Sequence, residues 1–247
     1  MSKLLIINAD DLGLSKEINT GILQSIECGA VSDTSLLVKA PYARHAVSGL
    51  KSLGIRHLGI HINLDDVLGW RPGGVELNDR HKLLEMLDEP DFIRECMQET
   101  TKQIEIFLSF GLTPSHIDTH HHVHGFAPIF EVLLDLSGVW SIPAMRFSRQ
   151  GYRLPTREDI PFDDELYGRM EVRLRQKGIN FSSRLLEGAR MIDVIYHGTT
   201  ELVVHPSLGG ETWRSEEFEI LRSRIDAREL DHIGIKLISF KDFTSDV

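Results

Sequence analysis

The sequence predicts an α/β protein in which about seven parallel strands alternate with helices and close, or nearly close, into a barrel. Three observations lead there. Short apolar runs suited to buried strands alternate with stretches of helical periodicity along the chain. Polar residues recur at the C-terminal ends of those runs: Asp10 and Asp11, His61, His120, Arg146 and His205. No repeat, low-complexity tract or linker divides the chain, so residues 1–247 read as a single domain. An open doubly wound sheet also binds ligands at strand C-termini, but only near its switch point; polar groups from several strands favour a closed rim.

In order, residues 3–8 read as a buried strand, because Leu4 to Ile7 form an apolar run bounded by polar residues. Ser15 is a good N-cap for a helix over 16–28, and Gly29 a stop signal. A strand follows at 34–38, a helix at 42–53, and a third strand at 57–62 ending in G-I-H-I-N-L. Residues 65–78, with three glycines, one proline and Trp70, read as a long functional loop. Helical periodicity over 92–110 sets Ile93, Cys96, Met97, Ile104, Phe107 and Leu108 near one face. After Gly111 comes a histidine-rich strand, then a helix at 128–136, a short strand at 144–147 and a loop at 150–161. Helices are predicted at 164–177, 185–195 and 215–228, and strands at 202–205 and 235–240.

Composition narrows the function. With 247 residues, 41% of them hydrophobic, the chain can bury a full core. A net charge of −10 without a basic run excludes a nucleic-acid binder. Cys28 and Cys96 lack metal-type spacing, and the N-terminal apolar run is too short for a signal peptide or a membrane span. The expectation is a soluble, cytoplasmic protein with reduced cysteines.

The densest chemistry is Pro114 to His124, P-S-H-I-D-T-H-H-H-V-H, which holds five of the 12 histidines. On an extended chain His116, Asp118 and His120 face one side, and Thr119 and His121 the other. Imidazole is the commonest metal-ligand side chain, so the cluster points to a metal or catalytic site rather than a solvated loop. Adjacent carboxylates such as Asp10 and Asp11 can split roles, one holding a cation and the other acting as a base; helix capping is the alternative. His61 ends an apolar strand, as a ligand would, and His205 before Pro206 is a candidate general acid or base.

Together, N-A-D-D-L-G-L-S, G-I-H-I-N-L, P-S-H-I-D-T-H-H-H-V-H and E-L-V-V-H-P, in this order up to Pro206, resemble the YdjC-type carbohydrate deacetylases, a family that includes chitooligosaccharide deacetylases. That family is similar in plan to NodB-type deacetylases, whose fold is a distorted seven-strand (β/α) barrel. The resemblance implies hydrolysis of N-acetyl groups on acetylated amino sugars, such as diacetylchitobiose, and a homodimer. Carried over by motif, Asp11, His61 and His120 would hold one divalent ion, Asp10 would be the general base and His205 the general acid. Arg146 takes the place of an arginine that orients the base, with Arg149 as a rival. Two imidazoles and a carboxylate suit zinc and also fit cobalt, nickel or manganese, and would hold magnesium weakly; the resemblance nevertheless allows magnesium, so the expectation is a divalent ion of open identity. Asp118 is placed to orient a ligand histidine; His121, His122 and His124 either support the ligands from behind, face the substrate or are structural. Relatives often carry a Thr-x-Asp-x-Phe-x-Gly segment where residues 178–188 read G-I-N-F-S-S-R-L-L-E-G, so nothing on substrate contacts carries over there. Trp70, Tyr152 and Trp213 either stack on sugar rings or cover the core edge. The alternative functions are a metal-dependent phosphoesterase or other amidohydrolase, which would need more carboxylate ligands, and a non-enzymatic metal-binding protein, which would leave Asp10 and His205 without a task.

Overall fold

The structure is a computed structural model and describes residues 3–68, 85–147, 164–195 and 197–243. Seven strands form one parallel sheet: β1 (Lys3–Leu12), β2 (Asp33–Leu36), β3 (His57–Ile62), β4 (Thr113–Thr119), β5 (Arg184–Glu187), β6 (Gly198–Val204) and β7 (Ile235–Leu237). Their order is β4-β3-β2-β1-β6-β5. β7 pairs with the start of β1, Lys3 to Leu5, while β2 pairs with its end, Asn8 to Leu12. Isolated parallel bridges, Ile117 to Met145 and Ala144 to Asn180, carry the pairing from β4 toward the segment leading into β5. The predicted α/β class with about seven parallel strands therefore holds, and the bridges extend the pairing beyond the β4 edge as far as Asn180.

Eight helices accompany the sheet among the described residues: α1 (Lys16–Glu27), α2 (Ala43–Ser52), α3 (Asp65–Leu68), α4 (Pro90–Ser109), α5 (Ala127–Trp140), α6 (Asp164–Lys177), α7 (Thr212–Arg224) and α8 (Ala227–His232). None is long and apolar enough to cross a membrane. Ser15 caps α1, its hydroxyl accepting from the Ile18 amide, and Gly29 follows in a left-handed conformation.

β1 is the centre of the sheet, and every residue from Leu5 to Leu12 is buried. That explains the continuous apolar run at its start, since a parallel strand covered on both faces has no solvent side. The strand also runs past residue 8. Its register against β2 slips between Ala9 and Leu12, where Asp11 adopts φ 67°. In a regular strand neighbouring side chains point to opposite faces. The bulge breaks that alternation, so that Asp10 and Asp11 reach the same polar cluster.

Several predicted elements differ, among them the final strand, predicted at 235–240, which ends at Leu237 before a 3-10 turn at Phe240–Asp242. The supposed helix at 185–195 is strand β5 followed by a 3-10 turn, Ala189–Val194. Leu185, Ala189, Ile192 and Ile195 are all buried, and that spacing imitates a helical face; Gly188, at φ 92°, separates the two pieces. The supposed strand at 144–147 makes only the two bridges. The helix at 215–228 stops at Arg224, because Ile225 turns extended and Asp226 caps α8 through the Arg228 and Glu229 amides. The loop at 65–78 begins as α3, and its remainder, with Trp70, falls outside the described residues, as do Arg149 and Tyr152. Within α4, Met97 is exposed; Gln103 is buried instead, bracketing the Asn63 backbone just beyond β3.

α1 presses on the turn after β6. A Cβ on Gly21 would lie 2.6 Å from Ser207 Cα and 2.9 Å from the Pro206 carbonyl oxygen. Backbone cannot swing aside, so Gly21→Ala is expected to destabilise the protein by about 1–3 kcal/mol and to displace the turn beside His205. Gly49→Ala is the control, since its Cβ would meet only the end of the Leu23 side chain. Equal denaturation midpoints for the two variants would contradict this account.

Candidate active site

The C-terminal ends of the parallel strands deliver the polar cluster, as the barrel rim does in folds of this kind. β1 supplies Asp10 and Asp11, β3 supplies His61, and β4 supplies Asp118. Beyond Thr119 the chain turns sharply into a 3-10 segment, His120–Gly125, with His121 and His122 left-handed at φ 55° and 52°. Thr119 holds this turn: its hydroxyl oxygen accepts from the His124 amide at 3.0 Å and meets the His124 Nδ1 at 2.6 Å. His120 thus reaches the cluster from the first residue of the turn and not from an extended strand.

Asp11 Oδ1 lies 3.0 Å from His120 Nδ1 and 3.5 Å from His61 Nε2. It is buried and receives no aligned hydrogen bond among the described residues. The other ring nitrogen of His61, Nδ1, lies 2.8 Å from Asp118 Oδ1, which orients the imidazole. One carboxylate oxygen and two ring nitrogens within 4.8 Å of one another make a donor set that fits a divalent cation.

Arg146 is the second centre of the cluster. Wholly buried, it donates through Nη1 and Nη2 to the two Asp10 oxygens at 2.7 Å each. It also meets Asp118 Oδ2 at 2.9 Å and Glu201 Oε1 at 2.6 Å. Asn8 Nδ2 adds a further bond to Asp10 Oδ1 at 2.7 Å. A second possible donor group, Asp10, His61 and Asp118, is therefore already compensated by a guanidinium. A third, Asp65, His120 and His121, shares His120 with the first, and Asp65 Oδ2 is 3.7 Å from His121 Nε2.

His205, just past β6, is half-buried. Its ring stands edge-on to Trp213 at 5.6 Å between centroids, its amide donates to Glu217, and a positive charge on it would favour the ionised forms of Asp11 and Glu187. His122 Nε2 lies 3.9 Å from Glu187 Oε1.

The electrostatics favour positive charge at this spot. Burial would lower the His61 pKa, but Asp118, Asp10 and Asp11 outweigh it and lift it from 6.5 to about 10. Burial would raise Asp11, yet His120, His61 and His205 hold it well below the usual carboxylate range. Asp118 is likewise held down, against burial, by Arg146 and His61. A place that holds a proton so firmly also attracts a metal ion.

The structure thus brings Asp10, Asp11, His61, His120 and Arg146 together, with Asp118 behind His61. Sequence reasoning missed Glu201 and Arg214. A lone glutamate in the strand T-T-E-L-V-V is a readable signal, because a charge buried in an apolar strand needs a partner. Arg214, whose Nη2 donates to Asp11 Oδ2 at 2.6 Å, has no such signal.

Comparison with known proteins matches residues 4–230 to the family described as YdjC-like protein. The chain is 32% identical to a carbohydrate deacetylase of Geobacillus stearothermophilus, covering 98% of this chain and 99% of the relative. A carbohydrate deacetylase of Clostridium beijerinckii is 28% identical over 96% and 99% of the two chains. Among solved structures, an Enterococcus faecalis protein assigned to cellobiose-phosphate cleavage has the same fold, with TM-score 0.72, 23% identity and 98% of each chain covered.

Proposed function

The chain belongs to the YdjC-like protein family, and from that premise we propose that it is a metal-dependent carbohydrate deacetylase. It hydrolyses the N-acetyl group of an acetylated amino sugar, a short chitin-derived oligosaccharide such as diacetylchitobiose. The observation that carries this reading is the buried Asp11 Oδ1 facing His61 Nε2 and His120 Nδ1, one residue from a carboxylate forked on Arg146. The relatives named carbohydrate deacetylase support the substrate class.

Asp11, His61 and His120 would hold the ion, and two imidazoles in three ligands favour zinc over magnesium. When bound, a divalent ion polarises the acetyl carbonyl and acidifies water. Asp10 takes the proton of the attacking water. Its Oδ2 accepts one bond, from Arg146, and keeps a further lone pair for this task. Arg146 fixes the plane of that carboxylate. His205 gives a proton to the departing nitrogen as the C–N bond breaks, leaving acetate and a free amine. A two-metal phosphoesterase is less well supported, because Asp10 and Asp118 are both engaged by Arg146.

Acetate release from diacetylchitobiose, with chelator, metal add-back and His120→Ala, tests the reading. Release that needs metal and vanishes in the variant is the expected result. No release by metal-loaded wild type from this or any other acetylated amino sugar would overturn it.

Metal uptake should also follow pH. Proton and cation compete for His61 Nε2, whose protonated form persists up to about pH 10 in the metal-free protein. Apparent affinity should therefore rise about tenfold per pH unit toward that value, with proton release on binding. Calorimetry in buffers of different ionisation enthalpy measures both, and a pH-independent affinity would show that no proton leaves His61 when the metal binds.

A further inference from the structure

We propose that Arg214 is a positioning residue that makes Asp11 a one-oxygen ligand. This rests on the metal-centre reading above and concerns a residue contributed by a helix, not by a strand end. α7 starts at Thr212, and its side chains diverge at once: Trp213 is 45% exposed, whereas Arg214 is 8% exposed. Three contacts fix the guanidinium. Nη2 donates to Asp11 Oδ2 at 2.6 Å, Nε donates to Glu211 Oε2 at 3.0 Å, and the group stacks over the Trp213 ring, 4.5 Å from its centroid.

The consequence lies in how the two Asp11 oxygens are shared. Oδ2 is occupied by Arg214, while Oδ1 faces the two imidazoles. A carboxylate with both oxygens free can ligate a cation through both and so fill a coordination position. The guanidinium takes one lone pair of Oδ2 and sets a positive charge beside it, which disfavours a cation there, so that position stays available for water and the acetyl oxygen, as a hydrolytic centre needs. Asp118 performs the matching service for His61, engaging Nδ1 and leaving Nε2. Two ligands are thus steered from behind, Asp11 by Arg214 and His61 by Asp118, with Ser35 Oγ 3.2 Å from the same Nδ1.

Cobalt(II) is the probe, because its visible absorption weakens as coordination number rises. Wild type, Arg214→Met and Arg214→Lys are loaded with cobalt, and their spectra, kcat and KM are compared. In Arg214→Met the visible absorption should fall by about twofold or more as Asp11 turns to bind through both oxygens. kcat should fall about 10–100-fold with KM little changed. Arg214→Lys, which keeps the charge and one donor, should recover part of both. Affinity alone has no fixed sign, because losing the guanidinium also removes a positive charge beside the ion. Arg214→Gln gives the same readout should Arg214→Met not fold. A folded neutral variant with the wild-type spectrum would overturn the inference and leave the metal centre standing. Wild type that binds no cobalt would overturn both.

Discussion

Asp10→Asn is expected to lower the rate of acetate release by about 10²–10⁴-fold while metal content stays at the wild-type level. The two effects separate in the proposed site, where Asp11, His61 and His120 would hold the ion and Asp10 would not. An asparagine there keeps a carbonyl oxygen for Asn8 and Arg146 Nη2, but sets an amide nitrogen against Arg146 Nη1. One charge-assisted bond is lost, at about 1–3 kcal/mol, so the protein should still fold. Turnover and elemental metal content are measured on the same preparation. A variant with full activity would remove Asp10 from the chemistry. A variant that loses its metal would make Asp10 a ligand and not a base.

Arg146→Met should cost stability on the largest scale of any single change in the cluster, about 3–5 kcal/mol. The loss is not that of one ion pair. Asp10, Asp118 and Glu201 all lean on this guanidinium, and all are buried. Without it three carboxylates repel one another away from water. Glu201→Gln should be much milder, because burial already pushes the Glu201 carboxyl up toward its neutral form. Combined, the two changes should destabilise by less than their sum, since the second removes one of the stranded charges. Urea denaturation of the two single variants and the double variant measures this. A loss below about 1 kcal/mol for Arg146→Met would show that the network relaxes or takes up water.

Much of this was readable from the chain because a parallel strand buried on both faces is a long apolar word, and a polar residue at its end stands out. His61 after an apolar strand and Asp118 inside the histidine motif were legible on that ground. Asp10 and Asp11 were legible as a pair, although not as part of the strand. What stayed hidden depends on contacts distant in sequence. Arg214 meets Asp11 across 203 positions, and nothing in G-G-E-T-W-R sets its arginine apart from a solvated one. β5 was hidden because four buried apolar residues fell by chance at helical spacing across a glycine break. The turn at His120–Gly125 was hidden for another reason. Left-handed histidines are locally unfavourable, and the Thr119–His124 contacts, distant from any apolar pattern, help hold the turn that contains them.

The kink in β1 has a bearing on protein design. An Asp-Asp dipeptide grafted at the end of a regular strand would send one carboxylate into the barrel mouth and the other into the helical layer. What must be transplanted is the backbone handedness at the second aspartate, φ 67°, together with the one-residue slip against the neighbouring strand. The same handedness limits the probes that can be used at that position. Asparagine accepts a left-handed backbone with little penalty, whereas glutamate or alanine would add conformational strain to the loss of the ligand. Comparing Asp11→Asn with Asp11→Ala would therefore weigh the backbone's share of the site against the side chain's.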